Sequence, residues 1–102
     1  MKTQVTFRHV KSHHPNLHEE ALQLAQSFEK YSEEITSTNV EFINENDKTV
    51  IITLNLHGTT LVAKEETDDF HKSLNEAADK IIRQIKKWKT KQISSRTKSI
   101  AV

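Results

Sequence analysis

The chain has 102 residues, which is enough for one domain with a hydrophobic core and too few for two. It contains no cysteine, which excludes a disulfide framework, a thiolate metal site and a cysteine nucleophile, and which suits the cytoplasm. Its net charge of +1 hides an uneven distribution: residues 1–79 carry seven Lys or Arg against 14 Asp or Glu, whereas all eight charged residues in 80–102 are basic. The chain therefore ends in a cationic segment that suits a polyanion such as nucleic acid.

The first segment alternates apolar and polar side chains, with Val5 and Phe7 on one face and Thr6 and Arg8 on the other. This period of two predicts a half-buried strand over residues 3–10. The segment lacks the continuous apolar run of a signal peptide or of a membrane-spanning helix. We therefore expect a cytoplasmic protein with no membrane partner.

Apolar residues then recur at helical spacing, which predicts a helix from Asn16 to about Ile35. Asn16 can accept hydrogen bonds from amides of the first turn, and Glu19 completes the pattern of a capping box. The apolar stripe consists of Leu17, Ala21, Leu24, Phe28, Tyr31 and Ile35. The outer face of this predicted helix is acidic and rich in amide side chains.

Three strand-like segments follow over residues 38–44, 49–57 and 59–65, and apolar residues alternate along them. The sequence of residues 44–48 is typical of a polar turn. Gly58 is the only glycine, and it lies where a tight hairpin needs a positive φ angle. We therefore predict an antiparallel meander of these three strands.

The last element is predicted to be a helix that begins near Thr67 or Asp68, either of which can cap it, and ends near Lys91. Its apolar stripe consists of Phe70, Leu74, Ala77, Ala78, Ile81, Ile85 and Trp88. Because Trp88 continues this stripe, we expect its indole to pack in the core and not to stack on a base. Residues 92–102 are rich in Ser, Thr and Lys without a period, and we predict a flexible C-terminal tail there.

The element order is therefore β-α-β-β-β-α, which predicts a single α+β domain over residues 1–91. A right-handed crossover between the first two strands places both helices on one face of a four-stranded sheet. The other face is expected to be open to water. Its side chains are mostly polar, and Ile51 and Val62 are the exceptions.

The basic residues of the last helix are candidates for a binding surface. Helical phase, at about 100° per residue, places them outside the buried stripe. One flank carries Lys80, Arg83, Lys87 and Lys91, and the other carries Lys86 and Lys89. Such a surface suits phosphate contacts, which release counterions and weaken as salt rises. The alternative is a solubilising helix face whose lysines complement the helix dipole, and helical phase leaves both interpretations open.

Two other clusters of polar residues suggest chemistry less specifically. His14 and His18 have the spacing of paired metal ligands, but Pro15 lies between them and no third ligand is evident, so we interpret them as exposed histidines. The acids from Glu65 to Asp69 lack a neighbouring nucleophile, and the helix dipole alone favours acids there. One glycine cannot make a glycine-rich phosphate loop. We therefore predict no catalytic residue, metal site, cofactor or small-molecule substrate.

Beside the element order, two segments stand out: SFEKYSEEI before the second strand and EETDDFHKSLNEAADKIIRQIKKWKTK over the last helix. Together they resemble the ribosome hibernation-promoting factor family in its short form, whose members are also called ribosome-associated inhibitors, ribosomal subunit interface proteins and sigma-54 modulation proteins. The resemblance covers residues 2–91. It implies a protein that binds the small ribosomal subunit in the channel used by mRNA and tRNA, and that suppresses translation in stationary or starved cells.

The resemblance also implies which residues meet the rRNA of the small subunit. The basic positions of the family's second helix correspond to Lys80, Arg83, Lys87 and Lys89, and the same surface extends to Lys86 and Lys91. Their implied role is to neutralise phosphate charge. The implied mechanism is occlusion by a folded domain, without catalysis.

Two departures from the family accompany this resemblance. The first helix of the family commonly contributes lysines, whereas here the corresponding face carries Gln23, Gln26 and Ser27. Glu29 and Glu33 lie nearby, so a weaker rRNA footprint or another target is expected. The C-terminal dimerisation domain of the long form does not follow the last helix, so we do not expect this chain alone to pair ribosomes.

Two other functions stay open at this point. A general RNA-binding domain with the same sheet and helices would bind free RNA as well as it binds intact subunits. A protein-interaction module, in which the acidic body and the basic helix meet different surfaces of a partner, would bind in a way that resists ribonuclease.

Overall fold

A computed structural model describes residues 2–10 and 15–101, with side chains through residue 90. The elements in chain order are β1 (Lys2–Arg8), α1 (Pro15–Ser27), a short 3₁₀ helix (Phe28–Lys30), β2 (Ile35–Asn44), β3 (Lys48–Leu56), β4 (Thr59–Thr67) and α2 (Phe70–Ala101). The predicted α+β class and element order are confirmed. Within the described residues, no helix combines the length and the apolar character that crossing a bilayer requires.

The four strands form one sheet in the order β1-β2-β3-β4. β1 pairs with β2 in parallel, with Val5 opposite Val40. β2, β3 and β4 form the predicted antiparallel meander, in which Ile52 lies opposite Val40 on one side and Ala63 on the other. Because side chains alternate along each strand, this register brings apolar residues of all four strands onto one face.

Both helices cover that apolar face. Leu17 and Ala21 of α1 and Ile81 and Ile85 of α2 are buried in one core together with the inward side chains of the strands. Half-buried Trp88 packs against the same core, which confirms the predicted orientation of its indole. Removal of this apolar surface from water is the main force that holds the helices on the sheet.

Three phenylalanines connect the first strand to the last helix. The ring of Phe42 on β2 stacks on Phe7 of β1 with 4.9 Å between ring centroids. It also meets Phe70, the first residue of α2, edge-on at 5.5 Å. Aromatic pairs of these geometries stabilise a fold beyond the area that they bury. The start of α2 is thereby held over β2.

The turns of the meander follow the sequence prediction. β2 ends at Asn44 and β3 begins at Lys48, so the polar stretch between them is a turn. Gly58 has a φ angle of 81° in the turn between β3 and β4. That angle lies in the left-handed region, which glycine adopts without the steric cost of a Cβ atom.

The predicted ends of the first helix are wrong. α1 begins at Pro15, one residue before Asn16, and ends at Ser27. The chain then forms a 3₁₀ helix, and Ile35 opens β2, where it lies opposite Leu56. Ile35 fits the helical period by spacing, but its buried side chain belongs to the sheet. An apolar residue at a strand start can continue a helical stripe by coincidence.

The predicted start of the last helix is also wrong by two or three residues. Thr67 is the last residue of β4, and α2 begins at Phe70. At the other end, the backbone of α2 is helical to Ala101, past Lys91. The predicted flexibility of residues 92–102 stays a prediction, because a helical backbone does not measure mobility. Of the two histidines with the spacing of paired metal ligands, His14 lies outside the described residues.

The second face of the sheet is open and carries mixed side chains. Arg8 and Glu41 form an ion pair across β1 and β2 at 3.1 Å, and Lys64 pairs with Glu66 on β4 at 3.1 Å. Val62 is 51% exposed on this face, as the sequence predicts. The charges on this face thus include two pairs neutralised within the chain.

Candidate nucleic-acid interface

A cluster of hydrogen bonds fixes the start of α2. The backbone amide of His71 donates to Oδ1 of Asp69 at 3.1 Å, and the amide of Ser73 donates to the carbonyl of Asp69 at 2.9 Å. Asp69 is therefore the N-cap of α2. The buried hydroxyl of Ser73 donates to the carbonyl of Lys48 at 2.6 Å, which joins the helix to the start of β3. The helix that carries the basic residues is thus anchored at its first turn.

Burial of one stripe of α2 decides which of its residues face solvent. Ile81 and Ile85 have no exposed surface. The exposed basic residues around them are Lys80, Arg83, Lys86, Lys87 and Lys89. The side chain of Lys91, the remaining sequence-predicted residue, lies outside the described residues. Because these residues differ in helical phase, they face three different surroundings.

The first surrounding is β4. Gln84 reaches this strand, and its Nε2 donates to the carbonyl of Val62 at 2.9 Å. Lys80 also turns toward β4, where its Nζ lies 2.6 Å from Oε1 of Glu65. The two side chains are 52% and 21% exposed, respectively. Lys80 is therefore an already paired cation, and a phosphate has to compete with Glu65 for it.

Glu65 is the residue of this surface that sequence reasoning missed. It lies opposite Val50, whose side chain is buried in the core, and it follows Leu61 and Ala63 in the inward-facing series of β4. A carboxylate in such a half-buried place needs a hydrogen-bonding or cationic partner. The alternation of Leu61, Ala63 and Glu65 is visible in the sequence and could have flagged the position. Its partner depends on where α2 crosses the sheet.

The second surrounding is open solvent. Arg83 and Lys87 are exposed and four residues apart, so they are neighbours on the helix surface. Neither forms an ion pair with any residue in the part of the chain that the structure describes. We call these two residues the outer ridge. Asp79, one turn before Arg83, marks the N-terminal limit of its positive charge. The outer ridge can bind phosphates without giving up an internal ion pair.

The third surrounding is residues 29–34, which we call the acidic segment because their three carboxylates, Glu29, Glu33 and Glu34, outnumber their one cation, Lys30. Lys89 lines a surface cavity of about 450 Å³ whose other walls are the acidic segment. Nζ of Lys86 lies 5.8 Å from the centroid of the Tyr31 ring, within the range of a cation–π contact. The predicted location of these two lysines on the other flank of the helix is confirmed. The sequence did not show that this flank meets carboxylates.

Two of the described histidines, His18 and His71, make side-chain contacts within the fold. The ring of His18 stacks against Phe7 with 6.4 Å between centroids, and Nδ1 of His71 lies 2.7 Å from Oε2 of Glu20. The second contact links α1 to α2. Among the described residues, no group of three or more His, Cys, Asp or Glu is arranged to hold a metal ion. Chemically, the strongest feature of the surface is positive charge on a rigid helix.

Comparison with known proteins identifies the family to which the sequence is similar. The family model described as sigma 54 modulation protein / S30EA ribosomal protein matches residues 3–93. A ribosomal subunit interface protein from Coxiella burnetii has a similar structure, with a TM-score of 0.80 and 26% identity over 88% of this chain and 99% of that one. The N-terminal domain of Protein Y from Thermus thermophilus superposes with a TM-score of 0.76 over 86% and 99%, and at 16% identity it supports the fold alone. Among curated proteins, none matches the sequence.

Proposed function

The chain belongs to the sigma 54 modulation protein / S30EA ribosomal protein family, which comprises ribosome-associated factors that are not enzymes, and from this membership we propose that it is a ribosome hibernation factor. In this proposal the domain binds the small ribosomal subunit in the channel used by mRNA and tRNA. It suppresses translation in stationary phase or under stress. The mechanism is occlusion: a rigid domain occupies a site that the substrates of translation need, and no covalent bond changes.

The outer ridge is the observation that carries this proposal. Arg83 and Lys87 are exposed and without an ion pair among the described residues, and they lie on a helix whose opposite side is buried in the core. Each phosphate that such a residue neutralises releases counterions, so binding is strong at low salt and weakens as salt rises. Contacts to phosphates position a protein on folded RNA without reading its sequence, which suits recognition of one fixed rRNA surface by shape.

The other basic residues have unequal roles in the proposed rRNA surface. Lys80 contributes after it exchanges Glu65 for a phosphate. Lys91 continues the same flank by helical phase. Lys86 and Lys89, which the sequence predicts to belong to the same surface, lie on the flank that faces the acidic segment, and the proposal assigns them no direct phosphate contact.

Co-sedimentation with purified small subunits tests the proposal. The Arg83→Glu/Lys87→Glu variant is expected to lose binding at physiological salt, because two attractive contacts become repulsive. The matched control is Lys2→Glu/Lys64→Glu, which changes the net charge by the same amount on the open face of the sheet. The control is expected to sediment with the subunit. If the outer-ridge variant sediments as well as the unmodified chain, the proposed interface is wrong.

Two further experiments distinguish the proposal from a general RNA-binding domain and from a protein-interaction module. Free RNA that competes as well as intact subunits would indicate a general RNA-binding domain. Binding that survives ribonuclease treatment of the subunit would indicate a protein-interaction module. The proposal expects weak competition by free RNA and loss of binding after ribonuclease treatment.

A further inference from the structure

The acidic segment lies beside the turns of α2 that carry Lys86 and Lys89. Lys89 and the segment line one cavity, and Lys86 contacts Tyr31 within the segment. Glu33 and Glu34 are exposed there. A polyanion that approaches this flank of α2 therefore meets carboxylates and lysines at the same place.

We propose that the acidic segment screens Lys86 and Lys89 from RNA, and so confines phosphate contacts to the flank of α2 that carries the outer ridge. This inference rests on the proposed function, because it concerns the side from which α2 meets rRNA. It makes Glu33 and Glu34 determinants of the binding footprint although neither contacts RNA. The screen acts by repulsion, and Lys86 behind it contacts the ring of Tyr31 in the segment.

The backbone of the acidic segment is fixed in this position. The amide of Tyr31 donates to the carbonyl of Phe28 at 3.0 Å, and the amide of His57 donates to the carbonyl of Glu34 at 3.2 Å. The hydroxyl of buried Ser32 accepts from the amide of Glu34 at 3.1 Å. Phe28 before the segment and Ile35 after it are both buried in the core. The backbone of the segment cannot move away from α2 without breaking these contacts.

The screen requires the carboxylates to lie within electrostatic range of a bound phosphate, and it does not require a direct contact. Charges on exposed residues act over about 10 Å at moderate salt, which spans a small surface cavity. A phosphate bound to Lys89 would therefore feel the carboxylates that share its cavity. The other flank differs, because its carboxylate, Glu65, is paired with Lys80, whereas Glu33 and Glu34 form no ion pair among the described residues. The two flanks of one basic helix thus present different potentials to RNA.

Neutralisation of the segment tests the inference with two probes, purified small subunits and a short single-stranded oligouridylate. The Glu33→Gln/Glu34→Gln variant is expected to bind the oligouridylate about threefold to tenfold more tightly at low salt. Its plot of log affinity against log salt is expected to steepen by about 0.7 for each lysine that gains a phosphate. The matched control is Glu45→Gln/Asp47→Asn, which changes the net charge equally in the exposed turn between β2 and β3.

The second measurement is a double-mutant cycle that combines Lys89→Gln with the Glu33→Gln/Glu34→Gln variant. In the unmodified chain this substitution is expected to change oligouridylate affinity by less than about twofold, and in the Glu33→Gln/Glu34→Gln background by about threefold or more. Equal effects in the two backgrounds would overturn the screen. Equal gains in oligouridylate affinity from the Glu33→Gln/Glu34→Gln variant and from its control would also overturn the screen, because they would show a response to net charge alone. Failure of the unmodified chain to bind small subunits would instead overturn the proposed function, and the oligouridylate arm would still decide on the screen.

Discussion

Nζ of Lys80 on α2 and Oε1 of Glu65 on β4 lie 2.6 Å apart, which ties the basic helix to the edge of the sheet. The pair has two consequences. It links α2 to β4, and it sets the charge of Lys80 against a carboxylate before any ligand binds. The cationic character of the last helix is therefore smaller at its N-terminal end than the sequence suggests, and it is concentrated on Arg83 and Lys87.

Removal of the Glu65 charge is expected to strengthen binding to the small subunit. In Glu65→Gln the size of the side chain is kept, Lys80 is released, and one repulsive charge near the phosphates is lost. We expect about a threefold gain in affinity at low salt. The loss in the free energy of unfolding is expected to be about 1 kcal/mol or less, because Lys80 is half exposed.

Sedimentation and thermal unfolding of the same variant measure both effects. Glu66→Gln is the matched control, because the adjacent residue carries the same charge on the opposite face of the sheet, paired with Lys64. Equal or weaker binding by Glu65→Gln, relative to this control, would show that Lys80 does not contribute to the interface.

Truncation of the buried stripe of α2 is expected to destabilise the whole domain. Ile81 has no exposed surface, so Ile81→Ala leaves a cavity and should lower the free energy of unfolding by about 2–5 kcal/mol. Val62→Ala, at the 51% exposed site on the open face, should cost about 1 kcal/mol or less. Urea unfolding followed by Trp88 fluorescence measures both. Similar costs at the two sites would contradict the packing of α2 on the sheet.

The position of the N-cap can be tested by comparing neighbouring aspartates. Asp69→Ala removes the acceptor of the His71 amide and should lower the free energy of unfolding by about 0.5–2 kcal/mol. Asp68→Ala should cost less, because in this structure α2 starts after Asp69. Asp69→Asn keeps a capping acceptor and should retain most of the stability. A larger loss from Asp68→Ala than from Asp69→Ala would place the cap where the sequence alone suggested.

Gly58→Ala is expected to destabilise the turn between β3 and β4 through its backbone. An added Cβ meets no atom within 4 Å, so the cost comes from the φ angle of 81° and should be about 1–2 kcal/mol. Gly58→Asn should cost less, since asparagine adopts left-handed conformations more readily. Denaturant unfolding of the two variants gives the comparison. Equal stability of Gly58→Ala and the unmodified chain would show that the turn does not need this angle.

Local patterns in the sequence predicted most of the fold. Alternation located β3 with Ile52 and Leu54 inward, helical spacing located the stripe around Ile81, and Gly58 located the tight turn. These features depend on neighbours within a few residues, so they can be read from one chain. Element ends were less predictable. Ile35 satisfies both the helical period and the strand that contains it, and spacing alone cannot separate the two.

The surroundings of the basic residues could not be read in the same way. Helical phase placed Lys80 and Lys89 outside the buried stripe, which the structure confirms. Their partners are more distant in sequence: Glu65 lies on β4, and the acidic segment precedes β2. Which carboxylate each lysine reaches depends on how α2 crosses the sheet, and that crossing is set by side-chain packing across the whole core.

In the proposed complex, this domain binds the small ribosomal subunit through the outer ridge of α2. An electron cryo-microscopy reconstruction of the chain bound to purified small subunits tests it most directly. We expect the domain in the channel used by mRNA and tRNA, with Arg83 and Lys87 against rRNA phosphates and the acidic segment turned away from the nearest RNA. A domain bound through the open face of its sheet, or bound with the outer ridge facing solvent, would show that the proposed interface is wrong.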